Sequence, residues 1–269
     1  MQTVLTIAGS DPTGGAGLQA DLQVFRAHGV HGAGVVTALT VQDSHRVHQS
    51  LPAFPNVVLD QMRTLLRDIT PAAVKLGMLG TDDIVRNVLI ALAPLDPSVP
   101  VVLDPVLAAS DGSPLLERRA WGSIGALIEG VTLVTPNLHE AEALTGIPTS
   151  DDAGCELAAR NLVEEFGAHA VLLKGGHRDG APNDLLAIGQ QSEASGEGAQ
   201  ETQFEWLPGE RIDAGPVHGT GCALSAAIAA RLALGSNLRE AVAAGRAFVA
   251  AGLRTAHAPG GGARFLGPA

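Results

Sequence analysis

The chain has 269 residues, 46% of them hydrophobic and 17% charged, with a formal net charge of −11. This balance excludes a disordered chain and leaves room for one large α/β domain or two small ones, while the acidic excess argues against nucleic acid as a main partner, since phosphate contacts need clustered Lys and Arg. Two cysteines, Cys155 and Cys222, give no disulfide framework, and without an 18-residue apolar run or a cationic leader pattern the expectation is a cytoplasmic protein with no membrane partner.

In chain order, Thr3–Ala8 predicts a short buried strand that runs into a glycine-dense loop, Gly9 to Gly17. Leu18, Leu22 and Phe25 then repeat at helical spacing, with Gly29 placed to stop that helix. Gly34–Thr40 predicts a second strand. Pro55 opens a helix with Val58, Met62, Leu65, Leu66 and Ile69 on one face. Ala73–Leu76 predicts a third strand, and Thr81 caps a helix carrying Ile84, Val88 and Leu92. Val101–Leu103 predicts a fourth strand, followed by a helix within Leu115–Glu129 and a fifth strand, Thr132–Thr135. Helices within Leu138–Leu144 and Asp152–Phe166 lead to a sixth strand, Ala170–Leu173.

Short apolar strands alternating with amphipathic helices predict a mostly parallel sheet covered on both faces. No composition shift splits the chain, so a single domain over 1–269 is expected. The exception is Gln190–Gln203, a Ser/Glu/Gly/Gln-rich run that predicts a flexible hairpin insertion between Leu185–Ile188 and Phe204–Leu207. Near the end, Leu224, Ile228 and Leu232 mark one buried face of a helix, Gly235 stops it, and Asn237 with Glu240 predicts a capping box for a last helix to about Leu253. The tail Pro259–Ala269 has too many glycines and prolines for regular structure.

Chemistry gathers after the strands, where open parallel sheets bind ligands. Gly219–Thr220–Gly221–Cys222 opens directly into a helix, so its N–H groups and the helix dipole suit a phosphate or a developing oxyanion, and the same field favours a Cys222 thiolate. The other reading is a turn capping a core helix, with Cys222 as a small buried hydrophobe. Asp104 and Glu140 are candidate Mg²⁺ ligands, although Glu140 equally suits the first turn of its helix. Lys174 either neutralises nucleotide phosphates or pairs with a carboxylate. Gln42 carries a donor and an acceptor, suited to an amide-like or aminopyrimidine edge or to its own loop. The histidine pairs 28/31 and 45/48 lack a third ligand and are expected on the surface. Of 17 basic residues only Lys75 and Lys174 are lysine, so a lysine here marks a place that wants a compact ammonium. Walker A, G-x-G-x-x-G and G-x-S-x-G patterns are absent.

Seven motifs occur together: Ala8–Asp21 (AGSDPTGGAGLQAD), Thr37–Asp43 (TALTVQD), Lys75–Leu79 (KLGML), Val102–Val106 (VLDPV), Thr135–Glu142 (TPNLHEAE), Leu173–His177 (LKGGH) and His218–Cys222 (HGTGC). As a set, from Leu5 to about Leu253, they resemble the hydroxymethylpyrimidine/phosphomethylpyrimidine kinases of thiamin biosynthesis, a ribokinase-like family with a three-layer α/β fold. The resemblance implies a pyrimidine pocket from Gly9, Asp21, Gln42, Met78 and Val106. It also implies an ATP and Mg²⁺ site using Asp104, Asn137, Glu140 and Lys174, and an anion hole from the Gly219–Cys222 backbone. Sugar-type relatives carry aspartate at the last position of that turn, which makes Cys222 the candidate base for the substrate hydroxyl.

Four departures from the family pattern stand out: Asp43 in place of Asn, Val217 in place of Thr, the Gln190–Gln203 insertion, and a degraded Gly-His-Gly-Pro at Ala258–Gly262. The implied activity is phosphorylation of 4-amino-5-hydroxymethyl-2-methylpyrimidine and then of its monophosphate. A pyridoxal-type kinase is the second reading and a non-catalytic precursor-binding protein the third. Gln42 favours the pyrimidine, and an exposed sheet edge is compatible with a homodimer.

Overall fold

The computed structural model describes residues 1–109, 112–176, 180–191 and 200–268. They cluster into two compact units, one formed by Met1–Ala120 with Ile212–Ala269, the other by Trp121–Arg211.

The first unit opens with β1 (Thr3–Ser10), α1 (Gly17–Ala27), β2 (His31–Gln42), β3 (Val47–Pro52), α2 (Pro55–Asp68), β4 (Ala73–Leu76), α3 (Asp82–Leu92) and β5 (Val101–Leu103). In the second unit follow α4 (Trp121–Ile128), β6 (Leu133–Val134), α5 (Leu138–Thr145), α6 (Asp152–Glu164), β7 (Ala170–Leu173), β8 (Asp184–Gln191) and β9 (Gln200–Leu207). The chain then completes the first unit with β10 (Val217–His218), α7 (Thr220–Ala233), α8 (Leu238–Arg254) and β11 (Arg264–Phe265).

Strands of the first unit lie in the order β3-β2-β1-β4-β5, all parallel except β3, which returns antiparallel on β2. Val4, Ile7, Val74 and Leu76 are wholly buried, and each contributes about 1.5–3 kcal/mol by leaving water. That is why a four-residue run such as Ala73–Leu76 holds as a strand. α1, α7 and α8 pack together, with α1 and α7 on the strands; α2 and α3 form the other layer, with α2 on β2. In the second unit the order is β6-β7-β8-β9, with β6 and β7 parallel and the last two strands antiparallel, and α6 packs on β7, β8 and β9.

The α/β class, helices on both faces and mostly parallel pairing of the first unit are as expected. Three details differ. β3 has the polar sequence VHQSLP, and its strand character comes from the ladder with β2, Leu39 opposite Leu51 and Val41 opposite Gln49, rather than from apolar periodicity. The tail is not wholly irregular, because Arg264–Phe265 pairs with Val217–His218. Strands β8 and β9 also run further than expected, with Gln190 opposite Glu201; the remainder of the predicted insertion, 192–199, lies outside the described residues. Among the described residues no helix is long and apolar enough to cross a membrane.

Candidate active site

Asp11 organises the glycine-dense loop after β1. Its carboxylate accepts from Thr13 N (2.9 Å), Ala16 N (2.9 Å), the Thr13 hydroxyl (2.8 Å) and His218 Nε2 (3.1 Å). Burial alone would raise this carboxyl, but the hydrogen bonds from His218 and Thr13 outweigh it and hold Asp11 below the usual carboxylate range. Asp11 is therefore an anion at neutral pH.

This loop interlocks with the turn that opens α7. Gly219, the N-cap, has φ +78°, and a Cβ there would lie 1.8 Å from the Gly15 carbonyl oxygen. Gly17 has φ +59°, and a Cβ there would lie 2.3 Å from the Gly9 oxygen. Both positions need glycine for conformation and for space. No side chain caps α7, and its first intrahelical bond, Ala223 N to Gly219 O (2.9 Å), leaves the N–H groups of Thr220, Gly221 and Cys222 ahead of the ladder. With the helix dipole they give this amino end partial positive charge, the kind of place where an anion can sit. α7 is not half-buried as its Leu224/Ile228/Leu232 spacing predicts: Ala223 through Ala230 are all buried, because small side chains let α1, α8 and the strands approach closely.

Beneath the turn lies a charged cluster that sequence reading did not assign. The Lys75 ammonium sits 2.9 and 3.0 Å from the two Asp21 carboxylate oxygens, and the Thr6 hydroxyl donates to Asp21 at 2.6 Å. The side chains of Lys75 and Asp21 are wholly buried. Burial alone would lower the Lys75 ammonium, but Asp21, with Asp104 adding to it, raises it above the ordinary lysine range. The bidentate contact and the Thr6 hydroxyl describe an ionised pair. Asp21, expected in the pyrimidine pocket, thus spends its carboxylate on Lys75 and Thr6. Lysine scarcity was the one sequence signal for Lys75.

The Cys222 expectation needs a correction. Burial, opposed by Lys75 and the Gly17 N–H and reinforced by Asp104 and Asp21, pushes its thiol up to about 11. Desolvation therefore outweighs the helix-end field, and the thiol is neutral at pH 7.

Gly9 and Met78 come together: a Cβ on Gly9 would meet the Met78 sulfur at 2.7 Å, and the Thr37 hydroxyl donates to the Met78 carbonyl at 2.5 Å. The terminal amide of half-buried Gln42 lies 2.9 Å from His218 Nε2 and 3.2 Å from the Thr40 hydroxyl. Asp104 is buried directly after β5, and Val106 N donates to its backbone oxygen at 2.8 Å. Asp43 faces its own turn, accepting from His45 N (2.8 Å), Arg46 N (3.0 Å) and His48 Nε2 (2.8 Å), which together hold its carboxyl far below the usual range.

In the second unit, Asn137 and Lys174 are bridged neighbours after β6 and β7, with Lys174 N donating to Pro136 O at 2.9 Å. Asn137 and Glu140 form a capping box on α5, Asn137 N donating to Glu140 Oε2 at 2.7 Å and Glu140 N to Asn137 Oδ1 at 2.9 Å. The Lys174 ammonium stands 3.9 Å from the same Glu140 oxygen. The helix-cap alternative for Glu140 is thus realised. Among the described residues no group of three or more His, Cys, Asp or Glu side chains is placed to hold a metal ion.

A family model described as phosphomethylpyrimidine kinase matches residues 11–266. A hydroxymethylpyrimidine/phosphomethylpyrimidine kinase from Streptomyces coelicolor is 38% identical over 98% of this chain and 92% of its own length. The crystal structure of a phosphomethylpyrimidine kinase from Clostridium difficile is 33% identical with a TM-score of 0.78, covering 93% of this chain and 98% of that one. A pyridoxal kinase from Staphylococcus aureus, solved in complex with AMP-PCP and pyridoxal, is 30% identical with a TM-score of 0.85, covering 99% and 93%.

Proposed function

The chain belongs to the phosphomethylpyrimidine kinase family, and on that premise we propose that it phosphorylates 4-amino-5-hydroxymethyl-2-methylpyrimidine with ATP and then phosphorylates the monophosphate to the pyrophosphate, in thiamin biosynthesis. The fold is ribokinase-like, the enzyme is a phosphotransferase, and ATP with Mg²⁺ is its cofactor pair. One family model runs through both compact units, which supports reading 1–269 as a single kinase domain. The absence of a membrane-crossing helix among the described residues is compatible with a cytoplasmic enzyme.

The observation that carries the chemistry is the uncapped amino end of α7 behind Gly219. Phosphoryl transfer needs mainly alignment and stabilisation of charge on the equatorial oxygens. The backbone N–H groups of Thr220, Gly221 and Cys222 would supply that stabilisation. In the first unit buried Asp104 is a hard oxygen ligand suited to Mg²⁺; in the second, half-buried Lys174 beside Asn137 is a cation and amide pair suited to phosphate. Glu140 is kept as a second Mg²⁺ candidate, with one oxygen already engaged in its cap. Bound Mg²⁺ supplies neutralisation of phosphate charge. Gly9, Gln42, Met78 and Val106 are assigned to the ring, and Asp21 to holding Lys75 beneath them. Cys222, through the minor fraction present as thiolate, is assigned as the acceptor of the hydroxyl proton.

A pyridoxal-type activity is the second reading, favoured by the fold's likeness to the pyridoxal kinase. ATP consumption measured in parallel with the aminopyrimidine, its monophosphate and pyridoxal separates the two. Turnover of both pyrimidines is expected; turnover of pyridoxal alone overturns the assignment. A homodimer is also proposed, supported by the edge strand β3 and by the exposed Leu39 and Val41 of β2 and Leu51 of β3. Sedimentation at the monomer mass at micromolar concentration would remove it.

A further inference from the structure

His218 immediately precedes the anion-binding turn, and the phosphoryl-transfer chemistry makes no use of its imidazole. The ring is held tightly. A Cβ on Gly15 would lie 3.0 Å from His218 Cδ2, the Phe265 ring centroid is 6.1 Å away, and the β10–β11 ladder pairs His218 with Phe265. Its Nε2 stands between two polar groups, Asp11 Oδ2 at 3.1 Å and the Gln42 amide at 2.9 Å.

Counting protons fixes what each group presents. Asp11 is ionised and can only accept, so His218 Nε2 carries the hydrogen. On the far side of the amide, the Thr40 hydroxyl is 3.0 Å from the Ser10 carbonyl oxygen, which also can only accept. The single Thr40 hydrogen goes there, and a lone pair faces Gln42 at 3.2 Å. The one Nε2 hydrogen is shared between Asp11 Oδ2 and the Gln42 amide, so the two ends of that amide meet an N–H and a lone pair. The structure draws the amide with its NH₂ at His218 and its oxygen at Thr40, but the two ends are isosteric, and with an N–H on one side and a lone pair on the other only the turned amide satisfies both neighbours: oxygen toward His218, NH₂ toward Thr40. One oxygen lone pair and one N–H remain, side by side in a fixed order.

We propose that His218 is a positioning residue for ring-edge specificity, locking the Gln42 amide so that the site prefers a heteroaromatic edge with one acceptor and one donor over an edge of acceptors alone. An aminopyrimidine has the first kind of edge, its ring nitrogen lying beside an amino group; the ring nitrogen of pyridoxal lies between a methyl-bearing carbon and a C–H, so that edge carries an acceptor and no donor. An acceptor-only edge meets the locked amide oxygen, which cannot turn away, so the lock discriminates by repulsion as well as by attraction. This inference rests on the assignment of Gln42 to the substrate ring.

The test measures apparent affinity for the aminopyrimidine and for pyridoxal, as KM where the compound is turned over and as an inhibition constant otherwise, in His218→Phe, His218→Gln and Gln42→Ala. Immobilising one rotamer-rich side chain is a fewfold effect. His218→Phe is expected to raise the aminopyrimidine KM about fivefold, more than it changes kcat, while pyridoxal affinity holds or improves and KM for ATP stays put. His218→Gln, whose amide N–H reaches about as far as Nε2–H, restores the aminopyrimidine KM to within about twofold. His218→Phe adds nothing in the Gln42→Ala background. His218→Leu repeats the removal with another shape, and melting temperatures identify a variant that fails to fold. Equal weakening of both ligands, or a full effect of His218→Phe without the Gln42 side chain, overturns the lock and leaves the Gln42 assignment standing. An unchanged aminopyrimidine KM in Gln42→Ala overturns both.

Discussion

Lys75 shows how far a single residue's role depends on what folding places beside it. Its ammonium and the Asp21 carboxylate are buried together, so removing one charge strands the other. Lys75→Met is expected to lower the unfolding free energy by about 3–5 kcal/mol, and adding Asp21→Leu to recover most of it, both read by urea denaturation. A loss under about 1 kcal/mol for the single variant contradicts the ionised pair. Cys222 carries a kinetic prediction. With its thiol pushed up to about 11, about one molecule in 10⁴ is thiolate at pH 7. If that thiolate takes the hydroxyl proton, the first phosphorylation climbs about tenfold per pH unit toward 10, and Cys222→Ser slows it by about 10² or more. The second phosphorylation has an already ionised phosphate as nucleophile, its second pKa being about 6, and should show neither effect. Flat pH profiles and equal losses in both steps would leave Cys222 with its backbone role alone. Asp11 predicts acid sensitivity. Its folded pKa is depressed, so its stabilisation is complete above an unfolded value of about 4 and is lost as pH falls through the folded value. Asp11→Asn should flatten the acid limb of stability measured by denaturant titration.

At the scale of elements, α7 and its entry turn are what the remainder of the first unit is built around. Gly219→Ala places a methyl group against the Gly15 carbonyl in a left-handed conformation, which costs about 1–2 kcal/mol before any clash and disturbs the donors of the anion hole. Activity is expected to fall by about 10²–10³ with a modest loss of melting temperature; near-normal turnover would contradict the anion-hole assignment. The capping box on α8, Asn237 with Glu240, offers a contrast far from the chemistry. Asn237→Ala should cost about 0.5–2 kcal/mol of stability and leave kinetic constants unchanged. Elements with a strong local signature were legible. Pro55 opens α2, Thr81 caps α3, and Ala170–Leu173 is a strand because four apolar residues bounded by turns can bury both faces; Ala73–Leu76 keeps three apolar residues around Lys75. β3 and β10–β11 were not legible, since an edge strand of VHQSLP and two-residue ladders owe their form to partners distant in sequence.

At the scale of the molecule, the strand-end pattern locates the candidate residues but not their partners. Gly9 and Gln42 lie at the carboxyl ends of β1 and β2, and Met78 and Asp104 follow β4 and β5, as the α/β plan requires, whereas the Lys75–Asp21 pair and the His218–Asp11–Gln42 chain bridge sequence separations of 54, 207 and 176 residues. No local periodicity encodes such contacts. Cys222 shows the same gap from the electrostatic side: a helix start suggests a thiolate, and only the packed surroundings reveal that desolvation prevails. The central claim is that this chain phosphorylates an aminopyrimidine hydroxymethyl group twice at the amino end of α7. Phosphorus NMR of the aminopyrimidine incubated with excess ATP and Mg²⁺ tests it most directly. The account predicts a monoester resonance that gives way to a diphosphate ester pair, with two ADP formed per pyrimidine. ATP left unconsumed, or phosphate appearing without any phosphorylated pyrimidine, would contradict it.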